Sequence, residues 1–137
     1  MILVDTSVWI DFFNHSRSVY AKKLKWLIEK GEEICLIDLT LTEILQGIRD
    51  EKTFGQIKDS LTKFPIINPI SVDGYIQAAN VYRLCRRKGK TISKTIDVII
   101  ATIAIENDLI LFHKDKDFDL IAECTELRIF EVGNEKV

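Results

Sequence analysis

The chain is poor in the residues that break structure. It has two prolines and six glycines in 137 residues, with no Ser/Gly-rich tract, low-complexity segment or internal repeat. Nothing divides it, so residues 1–137 are expected to form one globular domain. Cysteine is scarce as well: Cys35, Cys85 and Cys124 are odd in number, far apart, and make no C-x-x-C pair. That excludes a disulfide framework and fits reduced, buried thiols in a cytoplasmic protein. A chain this long buries roughly two-thirds of its unfolded surface, so it needs no disulfide or metal to hold a core. No apolar run reaches the ~18 residues of a membrane span, so no membrane association is expected. The opening MILVDTSVWIDFF lacks a basic leader and carries Asp5 and Asp11, unlike a signal peptide. Charge of one sign is also lacking. With 19 basic and 21 acidic residues the net is -2, which taken alone speaks against a general nucleic-acid binder.

Short apolar runs alternate with helical patterns. Ile2-Leu3-Val4, Ile34 to Ile37, Ile66-Ile67, Leu109 to Phe112 and Leu127 to Val132 read as strands. The third lies between Pro65 and Pro69, where an edge position is expected. Helices are predicted from about Ser7 to Phe13, around Tyr20, Leu24, Leu27 and Ile28 with Gly31 as the stop, and from Thr40 to Gln46. Others fall around Phe54, Ile57 and Leu61, around Ala78, Val81, Tyr82 and Cys85, and around Phe118, Ile121 and Ala122. Thr95 to Glu106 is apolar nearly all round and reads as a central, buried helix. This alternation implies right-handed crossovers and a mostly parallel sheet covered on both faces, with sites beyond the carboxyl ends of its strands.

Acids stand at those ends. Asp5 follows the first strand, Glu43 falls in the first turn of the helix after the second, Asp97 opens the buried helix, and Asp115 and Asp117 follow the fourth strand. Each has an ordinary explanation. Asp5, Thr6 and Ser7 suit a turn and helix cap, Thr40 and Glu43 fit a T-x-x-E capping box, Asp97 suits a helix dipole, and Asp115 or Asp117 suits a cap. Together they ask for more. Asp97 is the only charge between Thr95 and Ile105, and gathered carboxylates repel unless a cation reverses the penalty. Oxygen-only ligation suits one or two Mg²⁺ or Mn²⁺ ions, and no His/Cys set has zinc spacing. Such a cation activates water and neutralises phosphoryl oxygens, so no protein nucleophile is required. None is evident, since there is no G-x-S-x-G elbow and no Cys beside a base.

At this point the motifs resemble a known family. DTSVWIDFF, EILQGI, TIDVIIATIAI and LILFHKDKDFDLIA, in that order, are similar to PIN-domain nucleases, and most of all to the VapC toxins of toxin–antitoxin modules. The resemblance implies a three-layer α/β/α fold around a five-stranded, mostly parallel sheet. It also implies a metal-dependent endoribonuclease, often dimeric and restrained by a VapB-type antitoxin. Position by position, Asp5, Glu43, Asp97 and Asp115 match the family's acidic quartet, and Asp117 matches a further acid of some members. His113 departs from the Thr or Ser of many relatives, so a supporting hydroxyl is expected from Ser7 and Thr6 instead.

The remaining candidates divide by chemistry. Arg83, Arg86, Arg87, Lys88, Lys90 and Lys94 run toward Asp97 and are candidates for RNA-backbone contact, against the default of a solvated face. His113 tempts as a general base, but metal-activated water makes that unnecessary. His15 lies in a polar loop and says little. Trp9, Phe12, Phe13, Tyr20 and Trp26 are at helical spacing and read as core or dimer interface rather than base-stacking groups. Two alternatives to a nuclease are a phosphatase with an aspartyl nucleophile, weakened because Ser7 replaces the second Asp of D-x-D, and an acidic pocket for a basic peptide. The same pocket would accept an antitoxin arginine. Finally, setting aside the five acids leaves 16 acidic residues against 19 basic ones, a body of net +3 around a concentrated acidic site.

Overall fold

Five short segments, four of them wholly apolar, pair into one parallel sheet: Ile2–Val4 (β1), Ile34–Ile37 (β2), Ile66–Ile67 (β3), Ile110–Phe112 (β4) and Arg128–Ile129 (β5). The structure is a computed structural model and describes residues 1–67 and 70–133. The strand order is β3-β2-β1-β4-β5. The chain therefore runs outward from β1 to β3, then returns to lay β4 on the other side of β1. The crevice at that switch point, beyond the carboxyl ends of β1 and β4, is where such sheets hold ligands.

Register explains why the strands read as continuous apolar runs. Ile2 lies opposite Ile34 and Ile110, and Leu3 opposite Cys35 and Leu111. Alternation along each strand sends Leu3, Cys35, Ile37 and Leu111 into one core, and Ile2, Val4, Ile34, Leu36 and Phe112 into the other. The first core is closed by Val72–Arg87 (α5), Thr95–Glu106 (α6) and Lys116–Cys124 (α7). The second is closed by Thr6–Phe13 (α1), Val19–Glu29 (α2), Asp38–Leu45 (α3) and Glu51–Leu61 (α4). The result is the expected three-layer α/β/α arrangement. α6 is the central helix the sequence implies, buried at Asp97, Val98 and every residue from Ile100 to Ala104.

Trp9 is fully buried and packs against Phe12, Phe13 and Phe64, while Tyr20 and Trp26 flank the same core. The core reading of these aromatics therefore holds. All three cysteines are free and buried. Burial pushes the Cys35 thiol up to about 11, and burial together with the neighbouring Cys124 does the same to Cys85. Gly31 ends α2 as expected, with φ +75°, its N–H bonded to the Ile28 carbonyl and that of Glu32 to Leu27. This is the left-handed cap that glycine adopts without penalty.

Several boundaries differ from the sequence reading. Leu109 lies outside β4 because its N–H closes the end of α6 on the Ala104 carbonyl. β5 covers two residues rather than Leu127 to Val132: Arg128 and Ile129 pair with Ile110 and Leu111 of β4, and among the described residues no other strand borders it. β3 lies at the sheet edge after Pro65, as expected, whereas Pro69 is outside the described residues.

Candidate active site

In a parallel α/β sheet the helices run against the strands, so their N-termini gather at the strands' carboxyl edge. Those ends carry partial positive charge and free N–H groups, which favour acidic side chains. Asp5 is the N-cap of α1, Asp115 is the N-cap of α7, and Asp97 is the third residue of α6. The Asp5 N–H bonds the Phe112 carbonyl, locking the β1 exit to that of β4. A cavity of about 240 Å³ results, lined by Asp5, Thr6, Ser7, Glu43, Lys94, Asp97 and Asp115 with Ile10, Ile96 and Ile100. Capping and site-building are therefore the same act for Asp5 and Asp115.

Each acid is held by neighbours on its rear side. Asp5 Oδ2 accepts from the Ser7 N–H at 3.1 Å and from Ser7 Oγ at 2.6 Å. Thr6 Oγ1 donates to Glu43 Oε1 at 2.6 Å, bridging α1 and α3. Asp117 Oδ2 accepts from the Ser93 N–H and Oγ at 3.1 and 2.7 Å. Asp115 Oδ1 accepts from the Asp117 N–H, and Lys94 Nζ lies 3.4 Å from Asp115 Oδ2. Asp97 is the exception: it is 4% exposed, and its Oδ2 is buried with no hydrogen-bond partner among the described residues. A buried carboxylate oxygen without a donor is costly unless the cavity receives a cation.

The electrostatics follow from this packing. Burial, then the charge of Asp115, pushes the Asp97 carboxyl up to about 7, against some relief from Lys94. Burial works the same way on Asp115, but the Asp117 N–H and the Lys94 ammonium outweigh it and hold Asp115 below its ordinary value. Asp115 in turn holds the Lys94 ammonium charged to higher pH than usual. One oxygen each from Asp97, Asp115 and Asp117 falls within 4.8 Å of the others. Three hard oxygens this close form a donor set suited to a divalent cation such as Mg²⁺ or Mn²⁺.

Two local readings are corrected. Thr40 and Glu43 do not form a capping box, because α3 starts at Asp38 with Ile37 as its N-cap and no side-chain cap bond. Glu43 consequently sits in the second turn, and the Thr40 hydroxyl lies 3.3 Å from Thr6 Oγ1, whose one proton goes to Glu43. Of the basic cluster, only Lys94 lines the acidic cavity. Lys90 pairs with Glu123, Arg83 bonds Asn80, Arg86 lies over the Tyr82 ring, and Arg87 and Lys88 are exposed at the end of α5.

His113 is fully engaged. Its Nδ1 accepts from the Asp115 N–H at 2.9 Å, which leaves the Nε2 proton for Asp119 Oδ1 at 3.2 Å. It braces the Asp115 turn and has no nitrogen free for base chemistry, in line with the sequence reading. Sequence reasoning missed Ser93, Asp119 and the Asp11–Lys114 pair, in which Lys114 Nζ reaches Asp11 Oδ2 at 2.8 Å and ties the Asp115 turn to α1. Lys114, together with Ser18, holds Asp11 below the ordinary carboxylate value.

The protein is a three-layer α/β/α protein with an acid-lined cavity at the switch point of its parallel sheet. Within that class the chain belongs to the PIN domain family, whose model matches residues 2–123. Ribonuclease VapC11 of Mycobacterium tuberculosis strain H37Rv is 33% identical to it over 129 residues, 93% of this chain and 96% of that protein. The crystal structure of VapBC2 from Rickettsia felis, bound to a DNA fragment from their promoter, matches with a TM-score of 0.72 at 21% identity. That match covers 95% of this chain and 98% of the other. A toxin-antitoxin complex from Klebsiella pneumoniae matches with a TM-score of 0.66 at 22% identity, covering 85% and 88%. These two structural likenesses establish the shared fold.

Proposed function

We propose that the protein is a divalent-metal-dependent endoribonuclease, the toxin of a VapBC-type module, acting at the cavity between β1, α3, α6 and the β4–α7 turn. The observation that carries this reading is the orphaned, buried Asp97 Oδ2 among four further carboxylates. The ribonuclease name of its 33% identical relative gives the substrate class, and disfavours both a phosphatase and a peptide-binding module.

In this reading Asp97, Asp115 and Asp117 hold Mg²⁺ or Mn²⁺, and Asp5 and Glu43 complete the acidic wall. When bound, the cation lowers the pKa of a water and offsets charge on the phosphoryl oxygens. Hydrolysis there would join the oxygen of water to phosphorus, break the P–O bond to the ribose oxygen, and pass the water's proton to that oxygen, leaving a phosphomonoester and a hydroxyl. Ser7 keeps Asp5 fixed, Thr6 keeps Glu43 fixed, and His113 keeps the Asp115 turn fixed, so the carboxylates need no rearrangement when the ion enters. Asp97, whose carboxyl burial raises to about 7, would have to be deprotonated to hold a cation there. Of the basic candidates Lys94 stands at the cavity, and Arg87 and Lys88, exposed at the end of α5, are the remaining ones for contact with the RNA backbone.

Partners follow from two surfaces. A basic antitoxin segment is complementary to the acidic cavity, in keeping with the complexes formed by the structural neighbours. Val72, Tyr75 and Ile76 on α5 and Leu39 on α3 are exposed large apolar residues, and Leu39 and Tyr75 line one pocket with Ile70 and Ile99. This face suits a second copy of the chain. Among the described residues no helix is long and apolar enough to cross a membrane.

The test is incubation of the purified chain with single-stranded and structured RNA, with Mn²⁺ or Mg²⁺ and with chelator. Cleavage is expected with either ion and absent with chelator. Cleavage that survives chelation rejects the metal mechanism, and no cleavage of any RNA beside tight basic-peptide binding turns the reading to the peptide module.

A further inference from the structure

One cation is already built into the cavity. Lys94 Nζ lies 3.4 Å from Asp115 Oδ2, and among the described residues Lys94 is the only basic one lining the cavity with Asp5, Glu43, Asp97 and Asp115. It stands where helix preferences oppose it. Lys94 is the N-cap of α6, in extended conformation, and makes no side-chain cap bond. Ser, Thr, Asp and Asn favour that position, and a positive charge there faces the positive end of the helix dipole. Residues that break a local rule without local compensation are expected where function requires them. The backbone beneath it is also pinned: the preceding Ser93 clamps Asp117 Oδ2 through both its N–H and its hydroxyl.

The oxygen inventory gives this lysine a role. Asp5, Glu43 and Asp117 each have one oxygen engaged by Ser7, Thr6 and Ser93. Asp115 has both engaged, by the Asp117 N–H and by Lys94. Only Asp97 presents a buried oxygen with no partner. A two-metal phosphodiesterase centre needs carboxylate oxygens for two ions roughly 4 Å apart. Here an ammonium covers one of those oxygens, and a second divalent ion beside it would meet like-charge repulsion.

We propose that Lys94 takes the place of a second metal ion: the centre binds a single divalent cation and completes its positive charge with the lysine ammonium. This rests on the metal reading above. An ammonium is a compact point charge and a common phosphate partner, so Lys94 contacts the scissile phosphate beside the one ion.

Isothermal titration of Mn²⁺ into the metal-free full chain tests this without reference to activity, in wild type, Lys94→Met, Lys94→Gln and Lys94→Arg. The side chain is 61% exposed, so the variants are expected to fold, which circular dichroism checks. One Mn²⁺ per chain is expected for wild type and Lys94→Arg. Two are expected for Lys94→Met and Lys94→Gln, with the first ion bound about tenfold tighter once the neighbouring charge is gone. The stoichiometry decides. Two ions in the wild type, or one in the neutral variants, overturns the proposal while leaving the metal centre intact. No Mn²⁺ uptake by any of the four overturns the metal reading itself.

Discussion

Asp97→Asn is expected to lower RNA cleavage by roughly 1,000-fold or more, beyond the 10–100-fold that losing a ligand's supporting partner brings. The substitution keeps shape and removes one charge at the only carboxylate oxygen that is buried and unpartnered among the described residues. An Asn amide offers a neutral carbonyl or an NH₂ group there, and neither replaces a carboxylate against a divalent ion. Single-turnover cleavage at saturating Mn²⁺, beside Mn²⁺ titration of the same variant, checks it. Both should fall together. A variant that keeps cleavage within tenfold of wild type would remove Asp97 from the site.

The same substitution is expected to stabilise the metal-free protein, with a gain that grows as pH rises. The folded-state carboxyl of Asp97 titrates at about 7, above its ordinary 3.8. Between those values the folded state holds the proton and the unfolded state does not, so wild-type stability falls as pH rises through that window and levels off above it. The full shift corresponds to about 4 kcal/mol, and the lowered carboxyl of coupled Asp115 offsets part of it. A net gain of about 2 kcal/mol at pH 8 is therefore expected for Asp97→Asn, vanishing near pH 4. Thermal melts in chelator across pH 4–8 measure it, and saturating Mn²⁺ should reverse the order by stabilising wild type more. A variant less stable at every pH would instead make Asp97 a structural residue.

Much of this site was legible because the folding signal and the chemical signal coincide. Asp5 and Asp115 stand at strand-to-helix junctions, where a cap is needed, and capping uses only part of each carboxylate. Asp97 was conspicuous as a lone charge in an apolar helix, and the structure turns that anomaly into a buried orphan oxygen. Glu43 was legible from its place after the second strand, although it lies in the second helical turn rather than the first. The capping box that offered its ordinary explanation is absent, and its partner Thr6 lies 37 residues away. Ser93 and Asp117, 24 residues apart, and His113 with Asp119 carry no periodic or spacing signal. Only the fold brings them together. The basic cluster was contiguous in sequence but not in space, because Lys94 opens α6 while Arg83, Arg86 and Arg87 belong to α5. The near-neutral composition hid the separation of an acidic cavity from a mildly basic body.

Anomalous diffraction from a Mn²⁺-soaked crystal tests the metal centre most directly. A peak is predicted in the cavity within about 2.2 Å of Asp97 Oδ2, with Asp115 or Asp117 as a further ligand and Lys94 Nζ outside its coordination shell. An empty cavity at saturating Mn²⁺, or manganese bound only elsewhere on the surface, would contradict it.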